Sequence, residues 1–251
     1  MADTFEELIA DAEAADVTGW GFDWLDGRAT EERPPWGYAR LLAERWASAR
    51  AALDLDTGGG EVLAEASVFP PVAVATEAWP PNAAQATARL HPRGVAVVQT
   101  APGAPLPFAA GGFDLVTSRH PVSPDWEEIA RVLSPGGTYL AQHVGPASGF
   151  ELIEYFLGPL PRERQGRDPQ AEADAARAAG LEIVDLRTAR LRIEIRDVGA
   201  VVYLLRKLVW WVPGFTVDAH RDRLRDLHEQ IQRGGVFVDH SSRHLIEARR
   251  T

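Results

Sequence analysis

Ala52-Leu53-Asp54-Leu55-Asp56-Thr57-Gly58-Gly59-Gly60-Glu61 is the stretch that decides the fold. An apolar run that closes in glycines reads as a buried strand whose end must turn sharply and leave its backbone open to a ligand. Glycine accepts positive φ and carries no side chain to block the approach. Amide N–H groups at the start of a following helix, where the dipole is positive, would then meet that ligand. About 20 residues on, a second apolar run, Val72-Ala73-Val74-Ala75-Thr76, ends in Glu77, where the ribose-binding carboxylate of a doubly wound sheet belongs. A nucleotide-like cofactor is therefore expected at these two strand ends.

The third glycine of the dinucleotide fingerprint separates two cofactor classes. Counting G-x-G-x-x-G from Gly58 requires glycines at 60 and 63, and position 63 is Leu63, so nicotinamide or flavin binding loses the glycine that permits close helix-to-strand packing. The pattern instead resembles motif I of class I S-adenosylmethionine-dependent methyltransferases, with Asp54 as the strand acid and positions 56, 58 and 60 as the glycine positions. Leu106-Pro107-Phe108-Ala109-Ala110-Gly111-Gly112-Phe113-Asp114-Leu115-Val116 resembles that family's loop and fourth strand. Ile129-Ala130-Arg131-Val132-Leu133-Ser134-Pro135-Gly136-Gly137-Thr138-Tyr139-Leu140 is similar to its helix, Pro-Gly-Gly turn and fifth strand. The resemblance spans roughly residues 48 to 145 and implies S-adenosyl-L-methionine as cofactor and S-adenosyl-L-homocysteine as product. It places Asp54, Asp56, Thr57, Gly58, Gly59 and Gly60 around the methionine moiety, Glu77 on the ribose and Trp79 near adenine, with Ala78 and Ser118 completing the cofactor set. Two departures fall on these positions. Asp56 stands where the first glycine is usual, and Val95-Ala96-Val97-Val98-Gln99-Thr100 offers no acid for the adenine amino group.

The implied fold class is α/β: a Rossmann-like doubly wound sheet of about seven strands, mostly parallel with an antiparallel strand near the C-terminus, and helices on both faces. Runs near 51–56, 72–76, 95–99, 113–118 and 138–143 are apolar on both faces, as strands of a covered parallel sheet should be. Asn82 to Leu90 and Pro124 to Val132 suit crossover helices, with Pro124 in a first turn. Farther on, 181–186 and 191–196 read as two strands, Val198–Leu208 and Val217–Gln232 as helices, and 236–238 with 245–248 as a final strand in two parts. Residues 1–47 form a leader over the site, opened by a capping box between Thr4 and Glu7. Residues 48–251 form the methyltransferase domain, with a helical lid insertion at about 197–233. Trp36 and Tyr38 of the leader, and Trp210 and Trp211 of the lid, are candidates to line the substrate.

Composition narrows the chemistry. The 251 residues, 45% hydrophobic and 25% charged, suit one sizeable globular domain. With no cysteine there is no disulfide, thiolate zinc site, iron–sulfur cluster or cysteine nucleophile. A net charge of −10 argues against a nucleic-acid substrate, which normally needs a basic face. The arginine clusters at 243, 249 and 250 and at 162, 164 and 167 are the candidates for a local basic patch, with solvated surface the favoured reading of each. No apolar run reaches the roughly 18 residues that span a bilayer, and the start Met1-Ala2-Asp3-Thr4-Phe5-Glu6-Glu7 is acidic where a secretory signal is basic, so a cytoplasmic protein is expected.

Transfer from a sulfonium requires only alignment of a nucleophile and, for an alcohol or phenol, removal of a proton. Histidine suits that task. His120, after the fourth strand, and His143, after the fifth, are the candidate bases, although a strand-end histidine is more often structural. There is no G-x-S-x-G elbow and no H-E-x-x-H spacing, so no hydrolase and no metal is expected. The reading favoured is in-line methyl transfer to an oxygen or nitrogen of a small molecule. The alternatives are an rRNA or tRNA methyltransferase, and a non-catalytic or repurposed protein on the same fold.

Overall fold

The computed structural model describes residues 4–19, 21–160 and 167–251. In chain order it contains α1 (Phe5–Ala14), β1 (Ala29–Glu31), α2 (Tyr38–Ser48), β2 (Ala51–Leu55), β3 (Val72–Glu77), α3 (Pro80–Leu90), β4 (Ala96–Gln99) and β5 (Phe113–Arg119). It continues through α4 (Trp126–Val132), β6 (Leu133–Val144), α5 (Phe150–Leu157), α6 (Pro169–Ala178), β7 (Leu181–Ile195), α7 (Val198–Lys207), α8 (Val217–Gly234) and β8 (Phe237–Arg250). The sheet has eight strands in the order β1-β7-β8-β6-β5-β2-β3-β4. The chain forms two compact units, one of residues 34–146, 167–189 and 243–251, the other of residues 1–33, 147–166 and 190–242.

The larger unit carries the parallel core. β2 runs parallel to β3 and β5, β3 to β4, and β5 to β6, while β8 pairs antiparallel with β6, from Thr138↔Arg249 to Val144↔Arg243. Alternation along each strand divides its side chains between two cores. Ala52, Leu115 and Leu140 meet Leu42 and Trp46 of α2 and Leu90 of α3. Their neighbours Leu53, Val116 and Tyr139 meet Ile129 and Val132 of α4 and Ala176 of α6. Both faces are thus covered, and each fully buried leucine contributes about 1.5–3 kcal/mol.

The smaller unit is mostly helical. Thr4 accepts from the Glu7 amide at 3.3 Å and the Glu7 carboxylate accepts from Thr4 N at 2.8 Å, forming the expected capping box of α1. Leu8 and Ile9 of α1 pack in one cluster with Val201 and Leu205 of α7 and Leu224 and Leu227 of α8. The contact between α1 and α7 is close: a β-carbon on Gly199 would stand 2.8 Å from the Leu8 carbonyl oxygen. β1 pairs antiparallel with β7 from Ala29↔Ile195 to Glu31↔Ile193, adding the strand that takes the sheet from about seven to eight.

Several local expectations are corrected. No α-helix follows the glycines of 58–60; Leu63–Glu65 makes one 3-10 turn, and Pro70 and Pro71 precede β3. Pro124 lies before the cap of α4, whose first turn is closed by Asp125 accepting from the Glu128 amide at 3.0 Å. The segments 181–186 and 191–196 are one continuous strand, as are the two parts of β8. Pro135-Gly136-Gly137 is not a turn ahead of a strand but an irregularity inside β6, where the register with β5 shifts from Phe113↔Leu133 to Leu115↔Thr138. Gly137 is required there because a β-carbon would meet the Ser134 carbonyl oxygen at 2.9 Å.

Candidate functional site

The C-terminal ends of β2 and β3 build a backbone cradle. Asp56 adopts φ 54°, Gly58 φ 63° and Gly60 φ 78°, a left-handed path that asparagine and aspartate tolerate better than other side-chain-bearing residues. Thr57 N donates to the Thr76 carbonyl at 2.9 Å, tying the turn to β3. The Glu77 carboxylate holds the next link, accepting from Gly58 N on Oε2 and from Trp79 N on Oε1, each at 2.8 Å. Each of its oxygens keeps a lone pair, so a vicinal diol could be received without breaking either bond. Trp79, the residue before α3, is 45% exposed. In place of a helix dipole, Arg89 of α3 braces the turn from outside, donating to the Gly59 carbonyl and pairing with Glu61 at 2.8 Å.

The cradle is acidic. Asp54 is buried and accepts from Thr117 Oγ1 at 2.6 Å, and Thr117 in turn accepts from Trp46 Nε1 at 3.2 Å. Burial lifts the Asp54 pKa to about 6 against the pull of the Thr117 and Thr57 hydroxyls, with the Asp56 charge adding to the rise. Burial and then Glu77 raise Asp56 as well. A ligand entering here is favoured if it brings positive charge. Beyond β4, Thr100 N donates to the Glu77 carbonyl at 3.1 Å and Gln99 stands where an adenine-binding acid was sought.

The ends of β5 and β6 hold a second polar network. Trp36 Nε1 donates to Gln142 Oε1 at 2.8 Å, which leaves Gln142 Nε2 to donate to His120 Nε2 at 3.0 Å. Tyr38 donates to the Ser118 carbonyl at 2.8 Å, and Ser118 Oγ to the Leu55 carbonyl at 3.0 Å. Trp36 and Tyr38 are buried, so they fasten the strand ends together with their polar atoms already engaged. His120 adopts φ 59° and accepts on Nε2, which puts its proton on Nδ1. Burial, followed by the charges of Arg119, Arg243 and Arg167, drives its pKa to about 2. It is neutral at physiological pH and a poor base, which revises the role expected of it.

His143 is displaced from that role more completely. It shares its face of β6 with Tyr139 and Ala141, opposite to Gln142, and stacks beneath Trp126 with ring centroids 6.1 Å apart. Nδ1 lies 2.5 Å from Glu172 Oε2, and Nε2 lies 3.1 Å from the Tyr139 hydroxyl. Neither nitrogen is open to a substrate. Glu172 also meets His244 Nε2 at 2.8 Å, and His244 stands opposite His143 in the strand register.

The structure therefore brings together Asp54, Asp56, Thr57, Gly58, Gly59, Gly60, Glu77, Ala78 and Trp79 at one pair of strand ends, and His120, Ser118, Trp36 and Tyr38 at the adjoining pair. Trp210 and Trp211 belong to the other unit, where Trp211 packs so tightly on Gly149 that a β-carbon there would stand 2.5 Å from its ring, and Trp210 is 57% exposed. Of the two arginine clusters, Arg162 and Arg164 lie outside the described residues, whereas Arg167 and Arg243 bear on His120. Sequence reasoning missed Gln142, although it adjoins His143, because its part depends on a side-chain bond to Trp36. It also missed Glu172 and His244.

Residues 53–141 match a family model described as a methyltransferase domain. No curated protein matches the chain at a significant level. Among solved structures, the chain resembles a Bacillus halodurans C-125 protein provisionally described as a methyltransferase, with a TM-score of 0.61 at 19% identity over 85% of this chain and 99% of that one. It also resembles a Haemonchus contortus phosphoethanolamine N-methyltransferase in complex with phosphomonomethylethanolamine and S-adenosylhomocysteine (0.53, 16%, over 99% of this chain and 60% of that one). A third likeness is to the [4+2]-cyclase SpnF (0.51, 19%, over 84% and 80%). The class is thereby defined: the fold is that of class I S-adenosylmethionine-dependent methyltransferases. Residues 53–141 are the part of the chain that matches the methyltransferase-domain model.

Proposed function

We propose that the chain binds S-adenosyl-L-methionine and transfers its methyl group in line to an oxygen or nitrogen of a small molecule, releasing S-adenosyl-L-homocysteine. The observation that carries this reading is Glu77, whose two oxygens are each fixed by a backbone amide at 2.8 Å and keep lone pairs for a ribose diol. When bound, the cofactor supplies an activated methyl group together with its leaving group. Gly58 holds the backbone open beside it, and Gly60 seats the turn against α3. Asp56 and Asp54 offer negative charge to the ammonium of the methionine end, and Trp79 offers an exposed ring to the adenine. His120, neutral and protonated on Nδ1, orients an acceptor by donating a hydrogen bond, so the chemistry suits an acceptor that needs no strong base. Arg119, Arg167 and Arg243, whose charges bear on His120, favour an acceptor that carries an anionic group.

A second reading, a repurposed protein on this fold, is favoured by Asp56 and by the missing helix after the glycines. The likeness in fold to a [4+2]-cyclase supports that second reading. Calorimetric titration with S-adenosylmethionine, S-adenosylhomocysteine and nicotinamide cofactors, followed by a radiolabelled methyl-transfer screen of anionic amines and alcohols, separates the readings. Micromolar binding of the first two with turnover supports methyl transfer. Binding without turnover supports repurposing, and failure to bind either one overturns the proposal.

A further inference from the structure

We propose that His143, Glu172 and His244 form a site for one divalent transition-metal ion of the zinc class, a site that does not depend on the methyl-transfer reading. Three elements supply it: β6 and β8, whose antiparallel register sets His143 opposite His244, and α6, which carries Glu172. His143 Nδ1, His244 Nε2 and Glu172 Oε2 all lie within 4.8 Å of one another, and the two ring centroids are 4.9 Å apart. Both imidazoles are buried. Two imidazole nitrogens and one carboxylate oxygen are a donor set that ions of this hardness take, with a coordination position left for water.

Charge favours an ion, and the ring tautomers can accommodate one. The partners of Glu172 in its ion pairs are the two histidines, His143 Nδ1 at 2.5 Å and His244 Nε2 at 2.8 Å. The carboxylate thus lies beside apolar core with no guanidinium or ammonium paired to it among the described residues, an arrangement that a divalent cation suits. Metal binding at His244 Nε2 requires the proton on Nδ1, a buried nitrogen that has no hydrogen-bond partner in either tautomer. Binding at His143 Nδ1 requires the proton on Nε2, where the Tyr139 hydroxyl at 3.1 Å can accept it, fixing the ring as outer partners of metal-ligating histidines do. The present separations of 2.5 and 2.8 Å are those of proton-bridged N–H···O pairs. An ion with bonds of about 2.0–2.1 Å sets ligand atoms about 3.3 Å apart, so Glu172 withdraws from the 2.5 and 2.8 Å contacts and the two imidazole nitrogens, now within 4.8 Å, close on the ion. The ion would fasten α6 to the two strands.

The test uses the full chain stripped with EDTA and then titrated with zinc and, separately, cobalt(II). One ion per chain by elemental analysis, a raised melting temperature with zinc and the visible absorption of low-coordinate cobalt(II) are expected. Glu172→Gln, which keeps the side-chain shape and one acceptor oxygen, should weaken zinc affinity by at least about tenfold. His244→Ala serves as the second variant should the first not fold. Failure of the wild-type chain to bind near one equivalent at micromolar zinc overturns the site, as does unchanged affinity in a folded variant.

Discussion

Asp54 holds its carboxylate in a place that favours the protonated form. A carboxyl whose folded pKa is about 6, against an ordinary value of 3.8, contributes stability that is complete below about pH 4 and is lost as pH rises through 6. The full difference is of order 3 kcal/mol. Asp54→Asn removes this dependence while an amide oxygen still accepts from Thr117. The variant should therefore be more stable than the wild type by about 1–3 kcal/mol at pH 8 and no more stable at pH 4, as read from urea midpoints at the two values. Equal gains at both would show that Asp54 does not titrate in this range. Glu77 answers to a different experiment, because it satisfies two amides as well as facing the proposed ribose. Glu77→Ala leaves both N–H groups without their acceptor, at about 1–3 kcal/mol each if water does not replace it, so a lost cofactor would be hard to separate from a weakened fold. Glu77→Gln keeps one acceptor oxygen. It should fold with a loss of about 1 kcal/mol and bind S-adenosylhomocysteine at least about tenfold more weakly by calorimetry; unchanged affinity would remove Glu77 from the site.

The turn between β2 and β3 shows how neighbouring glycines differ in what they are for. A β-carbon on Gly58, at φ 63°, would have nothing within 4 Å, whereas one on Gly60, at φ 78°, would stand 2.8 Å from Leu90 Cδ1, against α3. Alanine at either position carries the left-handed backbone cost of about 1–2 kcal/mol, but at Gly60 it must also displace a buried leucine. Gly60→Ala should thus lower the melting temperature by several degrees more than Gly58→Ala, measured by thermal denaturation. The same turn marks where sequence reading succeeds and fails. Alternation and apolar runs located β2, β3, β5 and the helices α3, α4, α7 and α8 within a few residues, because burial leaves that pattern in the chain itself. The helix expected after the glycines was a transfer from the general fold; Pro70 and Pro71, so close before β3, already left it little room. Glu172 and His244 could not be found by spacing, since His244 meets His143 only through the register of β8 on β6, which a period of two leaves undetermined, and Glu172 reaches both only through the packing of α6. The cofactor residues were legible because they are local to two strand ends, and the Trp36–Gln142–His120 chain was not because it joins three segments by side-chain bonds.

At the scale of the whole molecule, charge separates the remaining acceptor classes. The net charge of −10 sets a repulsive field toward polyanions, while the charges of Arg119, Arg243 and Arg167 bear on His120. Three guanidiniums suit one small anionic group. A nucleic-acid groove needs more, since each neutralised phosphate adds about 0.9 to the salt slope and non-specific affinity in the micromolar range at physiological salt rests on many such contacts. The chain should therefore show no binding to labelled structured RNA at micromolar concentration and about 150 mM salt in fluorescence anisotropy, and only weak, salt-abolished binding at about 20 mM. Arg119→Ala should leave that result unchanged while weakening capture of an anionic small acceptor. Tight RNA binding with a steep salt slope would instead mean that arginines from several segments align into one face, and the small-molecule reading would give way to an RNA substrate.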